Sequence, residues 1–255
     1  MSRSICIHGH FYQPPRENAW LETVEIQSSA RPYHDWNERI TAECYRPNAA
    51  ARILGAQDRI AELVNNYELM SFNVGPTLLS WLAERARDVY DAIIEADRRG
   101  TARFSGHGSA LAQAYNHLIM PLASPADRRT QVIWGIRDFE HHFGRRPEGM
   151  WLPETAACTD SLEALAEQGI AFTILAPHQL AADDADGRHA ARHATRRALD
   201  PRRPYRIELP SGREITAFIY HGGIAQAAAF EKLLDSGASF IQRLRGAFAA
   251  DDHGA

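Results

Sequence analysis

Hydrophobic residues fall into short runs that alternate with stretches of helical period, and residues with turn chemistry separate the two. "SICIHGH" begins as an apolar, strand-like run and ends in histidines around a glycine, as a strand entering a loop would. "YELMSFNV" is a second run and stops at Gly75 and Pro76. The following "TLLSWLAERARDVYDAIIEADRRG" repeats its apolar positions at helical spacing and closes on Gly100, so a proline inside the start and a glycine past the end bracket a helix. "ARFSGHG" predicts a third strand and "ALAQAYNHLIM" a helix; "PADRRTQVIWGIRDFEHHFG" predicts another helix framed by Pro125 and Gly144. "EGMWLP" and "IAFTILAP" flank the helical "CTDSLEALAEQG", a spacing that predicts a parallel β-α-β unit with a right-handed crossover. "YRIELPSGREITAFIY" predicts a hairpin turning at Pro210, Ser211 and Gly212, and "IAQAAAFEKLLDSGASFIQRL" a last amphipathic helix.

Between these, residues 181–204 hold no large apolar side chain except Leu199 and predict an exposed loop excursion. The alternation of strands and helices favours an α/β domain, barrel-like or open, and 255 residues suit one such domain over 1–255. Composition changes little: 45% hydrophobic, 24% charged and a net charge of −4 describe an ordinary globular protein with no general pull toward nucleic acid or an anionic membrane. The apolar runs are too short to span a bilayer and the N-terminus lacks the apolar region of a signal peptide, so the expected localisation is cytoplasmic. Three cysteines without CxxC spacing suggest neither a disulfide framework nor a zinc ribbon, and are expected to be small buried hydrophobes.

In a parallel α/β domain the reacting groups gather at the carboxyl ends of the strands. The polar residues there are His8 and His10 after the first run, Asn73 after the second and His107 after the third. Glu154 follows the fourth, His178 and Gln179 the fifth, and His221 the last. Such a set suggests a pocket lined by imidazoles, amides and a carboxylate. "HGG" at His221 has no GxSxG elbow to serve, which argues against a serine hydrolase. "HGH" has the spacing to hold a metal through His8 and His10, although it would need a further ligand. Glu154, placed after the apolar "MWLP", is either a helix-capping carboxylate or a nucleophile beside Trp151, whose indole face could stack on a sugar ring.

"IHGHFYQPPRENAWLE", "SFNVGPTLLSWL", "GHGSALAQAYNHLIMPL", "RRPEGMWLPETAACTDSLEALAEQGIAFTILAPHQ" and "RPYRIELPSGREITAFIYHGGIAQAAAFEKLL" resemble, in that order, successive blocks of the N-terminal domain of glycoside hydrolase family 57, in its bacterial branch with a further uncharacterised region downstream. The resemblance implies an incomplete (β/α)7 barrel and a retaining hydrolase or transglycosylase acting on α-glucans, with no cofactor or catalytic metal. Glu154 falls on the family's nucleophile, and His8, His10 and Gln13 fall on the motif that lines the donor sugar subsite. Trp151 lies in the nucleophile's motif, and His117 matches a histidine near the site. With Asn73 and His107 these make up the expected substrate contacts.

Retaining chemistry also needs a second carboxyl group about 5–5.5 Å from the first. The resemblance implies an aspartate in a later "DGE"-like motif, which does not occur here, and nothing around Asp251 and Asp252 matches it. The sequence therefore leaves open a truncated enzyme, a silent carbohydrate-binding or regulatory module, and a metal-dependent hydrolase built on His8 and His10.

Overall fold

The computed structural model describes residues 4–180 and 199–249. Its first strand, β1 (His8–Phe11), is followed by α1 (Trp36–Ile40), a π-turn at Thr41–Tyr45, α2 (Arg46–Ala49) and a small hairpin of β2 (Ala51–Leu54) and β3 (Ile60–Val64). Next come β4 (Ser71–Val74), α3 (Pro76–Arg85), α4 (Arg87–Arg103), β5 (Ala110–Gln113), α5 (Pro125–Phe143), β6 (Met150–Trp151), α6 (Thr159–Glu167) and β7 (Phe172–Leu175). The chain then forms β8 (Pro204–Glu208), β9 (Glu214–Ile219), α7 (Gly222–Phe230) and α8 (Gly237–Ala249).

Strands β1, β4, β5 and β6 pair in that order, all parallel. A parallel bridge from Gly149 to Phe172 joins β6 to the sheet ordered β7, β9, β8, in which only β8 runs antiparallel. That bridge, with the Thr173 hydroxyl donating to the Met150 carbonyl at 2.8 Å, realises the predicted β-α-β unit around α6. Among the described residues the sheet does not close, and β1 and β8 stand at its two ends. This is an α/β fold of parallel strands covered by helices, with a core in which Tyr67, Phe72, Leu79 and Leu82 are at most 1% exposed. Each large apolar side chain buried this way contributes about 1.5–3 kcal/mol.

Several sequence expectations needed correction. The helix predicted across 77–100 is two, α3 and α4, broken at Ala86 (φ −141°, ψ 59°), and apolar periodicity carries through that break because Leu82, Ala86, Val89 and Ile93 are all buried. Gly100 does not end the helix but lies inside α4, where a Cβ would come within 2.6 Å of Ser109 Oγ; it is glycine because helix and chain touch there. The third strand is not "ARFSGHG", which holds the end of α4 and a turn, but the "ALAQ" expected to be helical. All four residues of β5 are buried, and a strand covered on both faces shows no alternation to mark it. The last predicted helix is likewise two, α7 and α8.

The hairpin of β8 and β9 turns as expected, with Gly212 at φ 80°. The 181–204 excursion lies outside the described residues up to 198, and Leu199 is buried. The cysteines are not core residues: Cys6 is exposed, and Cys44 and Cys158 are half-buried. No helix among the described residues is long and apolar enough to cross a membrane.

The packing of α4 on α5 carries a buried titratable pair. Burial pushes the Asp138 carboxyl up to about 6 and the His142 ring down to about 4, with His142 Nε2 3.7 Å from Asp138 Oδ1 and His142 Nδ1 3.0 Å from the Tyr90 hydroxyl. A carboxyl whose folded pKa lies above its unfolded value costs nothing while protonated in both states, and destabilises increasingly as pH rises toward the folded pKa. Asp138→Asn is therefore expected to stabilise the protein by on the order of 1–2 kcal/mol at pH 8 and to have little effect at pH 4. Urea unfolding at the two pH values checks this.

Candidate active site

Strand register decides which side chains meet. His10 aligns with Asn73 and His8 with Ser71, Asn73 aligns with Leu111, and Gln113 aligns with Trp151. Because strand side chains alternate with period two, His8, His10, Ser71, Asn73, Gln113 and Trp151 share one face of the sheet. Three amino acids that look unrelated along the chain thus become neighbours: Asn73 lies 63 positions from His10 and 40 from Gln113.

The groups form a continuous hydrogen-bonded chain. The Ser71 hydroxyl lies 3.0 Å from His8 Nδ1, and His8 Nε2 lies 3.1 Å from Asn73 Oδ1. Asn73 Nδ2 is 2.9 Å from His10 Nδ1 and donates to Gln113 Oε1 at 2.6 Å. Gln113 Nε2 is 3.3 Å from His117 Nδ1, and His117 Nε2 is 3.1 Å from Glu154 Oε1. Rings stack over this chain. Tyr12 covers His117 at 3.8 Å, and Trp151 stacks on His10 at 4.7 Å and on His8 at 5.3 Å. The indole face expected to meet a sugar is thus partly covered by imidazoles. Burial pushes His8 down to about 4 and lowers His10, so both rings are neutral at pH 7.

Glu154 sits just past β6 in a single turn, Pro153–Thr155, with a left-handed backbone (φ 56°, ψ 19°) that continues at Thr155 (φ 52°). Such conformations cost a non-glycine residue about 1–3 kcal/mol, and they gather where surrounding structure over-determines them. Gln179, from the loop after β7, supplies part of that constraint. Its Nε2 donates to the Thr155 carbonyl at 2.6 Å, and its Oε1 accepts from Ala176 N–H at 2.7 Å. The turn lifts the Glu154 side chain to 70% exposure while His117, itself at φ 51° and 13% exposed, holds one oxygen.

Not every expected contact joins this cluster. His107 precedes β5 rather than following it, lies at the opposite end of the sheet and pairs with Glu148 at 2.9 Å. Its displacement follows from the shift of the third strand to 110–113. Gln13 is 9% exposed and both ends of its amide are engaged, by the Tyr45 hydroxyl at 3.1 Å and by Arg16 at 2.7 Å, so it braces the loop after β1 and is not a member of the hydrogen-bonded chain. His221 caps α7, its Nδ1 accepting from Ile224 N–H at 3.3 Å, and His178 is exposed and outside the hydrogen-bonded chain. Sequence reasoning missed Ser71, Tyr12 and Gln113. The signal was there for Ser71, since S-x-N puts two polar residues two apart on an otherwise apolar strand.

A metal on His8 and His10 does not fit this arrangement. A ligating imidazole needs a free lone pair, and both His8 nitrogens are committed to Ser71 and Asn73. Among the described residues, His34, Asp35 and Glu38 cluster closely enough to hold an ion, but far along the chain from these groups. There Asp35 accepts from Glu38 N–H as a helix cap, and Glu38 accepts from His34 N–H.

Similar folds occur in known enzymes. The structure matches a 4-alpha-glucanotransferase from Thermococcus litoralis (TM-score 0.58, 16% identity) over 96% of this chain and 36% of that one. It matches the alpha-amylase AmyC from Thermotoga maritima (TM-score 0.54, 15% identity) over 88% of this chain and 46% of that one. A 1,4-alpha-glucan branching enzyme of Thermococcus kodakarensis is 32% identical over 95 residues, which are 35% of this chain and 14% of the relative. The chain thus spans under half the length of each of these proteins. The profile described as "Glycosyl hydrolase family 57" matches residues 8–247, which take in every strand of the sheet and both His117 and Glu154: the chain belongs to glycosyl hydrolase family 57.

Proposed function

We propose that this chain carries the nucleophile of a retaining hydrolase or transglycosylase acting on α-glucans, and that the nucleophile is Glu154. One observation carries the reading: a single exposed carboxylate stands on a strained, braced turn at the polar end of the sheet, with one oxygen held by His117. The α-glucan substrate class is supported by the transferase, amylase and branching activities named for the similar proteins.

In the first step a Glu154 oxygen attacks the anomeric carbon, the glycosidic C–O bond breaks, and the departing oxygen takes a proton from an acid. Water or a sugar hydroxyl then attacks the glycosyl ester, loses its proton to the conjugate base and releases the carboxylate. His10, whose Nε2 lies across its ring from the Asn73 contact, binds a sugar hydroxyl beside it and the half-buried Trp151 ring offers the sugar an apolar contact, while Asn73 acts through the imidazoles it holds. Among the described residues the side chain hydrogen-bonded to Glu154 is the His117 imidazole rather than a second carboxyl group.

General acid assistance contributes roughly 10²–10⁴-fold. Fluoride needs little of it, so an α-glucosyl fluoride carrying a second, rate-slowing fluorine on the ring tests Glu154 by itself. Mass spectrometry of peptides from the treated chain is expected to find one glycosyl group on the peptide containing Glu154. Binding of maltooligosaccharides with no adduct would instead identify a silent carbohydrate-binding module. Loss of adduct formation on chelation would revive a metal-dependent reading.

A further inference from the structure

Donor and acceptor counting fixes the direction of the hydrogen-bonded chain. An ionised Glu154 only accepts, so His117 Nε2 must carry the proton across the 3.1 Å contact. A neutral imidazole has one N–H, which leaves His117 Nδ1 as a lone pair in need of a donor, and Gln113 Nε2 stands there at 3.3 Å. Gln113 Oε1 is then free to accept, and the Asn73 amide donates to it at 2.6 Å. Asn73 Oδ1 in turn accepts from His8 Nε2 at 3.1 Å, and His8 Nδ1 accepts from the Ser71 hydroxyl at 3.0 Å. Along this path from Ser71 to Glu154 every member has one role; His10 Nδ1 branches from it at Asn73, 2.9 Å from Nδ2 and 3.2 Å from Oδ1.

We infer that Gln113 is a positioning residue for Glu154, acting through His117: its amide N–H holds the imidazole neutral with the proton on Nε2, aimed at Glu154 Oε1. The inference rests on Glu154 being the nucleophile. A neutral donor orients the carboxylate and leaves the second oxygen to form the bond, without the full neutralising charge of an imidazolium. The backbone around Gln113 is held for this. Gly135 of α5 lies so close that a Cβ would meet the Gln113 carbonyl oxygen, and the buried β5 allows the side chain little freedom. The ring itself stacks against Tyr12 at 3.8 Å and lies beside His10 at 5.9 Å; with Glu154, these are the titratable groups that face it.

The reversed chain is the physical alternative. If both amides were turned over, Gln113 Oε1 would accept from His117 Nδ1, and His117 would have to be a doubly protonated imidazolium. The two cases differ in the ¹⁵N spectrum of histidine-labelled protein at pH 7. The expected spectrum for His117 has one protonated nitrogen, Nε2, and one bare nitrogen, Nδ1. Gln113→Glu keeps the shape and replaces the donor by an acceptor, so the His117 ¹⁵N spectrum is expected to show a proton gained on Nδ1. Gln113→Met, which removes the donor without adding charge, is expected to slow glycosyl adduct formation from the fluoride reagent about tenfold, with the adduct still on Glu154.

A wild-type His117 protonated on both nitrogens, or on Nδ1 alone, overturns the inference, as does a Gln113→Met spectrum and rate that match wild type. The nucleophile reading fails separately: a Nε2-protonated His117 in a chain that forms no adduct would refute the role of Glu154 and leave the tautomer assignment standing.

Discussion

Glu154→Gln is expected to abolish formation of the glycosyl adduct and to lower turnover of an activated α-glucosyl fluoride by on the order of 10⁴-fold or more, with folding stability within about 0.5 kcal/mol of wild type. The two expectations together separate a chemical role from a structural one. The amide keeps the shape and can still meet His117, but it has no anionic oxygen to attack the anomeric carbon. The side chain is 70% exposed and, among the described residues, its hydrogen bond is to His117, so little folding energy depends on its charge. Glu154→Gly sharpens the contrast, because glycine adopts φ 56° without penalty and is expected to gain about 1 kcal/mol of stability while losing activity. Added azide should restore cleavage of the fluoride in the glycine variant and give a glycosyl azide of inverted configuration, since one displacement replaces two. Retained turnover in Glu154→Gln, with reagent still attached, would move the nucleophile to another residue.

The second large effect is on stability. Asp97 of α4, with a side chain 2% exposed, accepts two hydrogen bonds from Arg145, both at 2.8 Å, and one from the Ala110 N–H at 2.8 Å; Arg145 also donates to the Ala110 carbonyl at 2.9 Å. The pair therefore clamps the entry of β5 to α4. Replacing Asp97 by Ala strands the guanidinium and an amide N–H in a buried place, which is expected to cost about 3–5 kcal/mol. For a chain of this size that lowers the melting temperature by roughly 10 °C. Replacing both partners by Leu and Met should cost less than Asp97→Ala alone, because no unpaired charge is left behind. Thermal unfolding of the two variants beside wild type checks the order. Gln113 stands at the other end of β5, so Asp97→Ala should also blur the histidine ¹⁵N spectrum at His117.

The predictive value of the sequence differed from segment to segment for physical reasons. Helix α5 could be read outright because Pro125 and Gly144 are local signals, and the structure uses them: Pro125 opens it and Gly144 ends it at φ 66°, with Ser124 added as its cap. The hairpin of β8 and β9 was equally local. At 110–113 the same reasoning chose a helix, because Ala, Leu and Gln favour one in isolation and only burial against α5 and the neighbouring strands makes them extended. That single misplacement carried His107 into the expected site and left Gln113 out of it. At the site, the carboxylate could be picked out from "MWLPET" and from the family resemblance, and His8, His10, Asn73 and His117 with it. Gln13 matched the motif, and only the structure shows its amide taken up by Tyr45 and Arg16.

The sequence by itself determined helix α5, the hairpin of β8 and β9, the α/β class and the family, and it singled out Glu154 as the candidate nucleophile, because turn and cap signals and motif blocks are written in the residues themselves. Only the tertiary structure decided that β1, β4, β5 and β6 lie side by side, and therefore that Asn73 and Gln113 bridge histidines to Glu154. The reason is that periodicity records how buried a segment is but not which segment buries it. The direction of a hydrogen-bonded chain exists only once its donors and acceptors, separated by dozens of residues, have been packed within about 3 Å of each other.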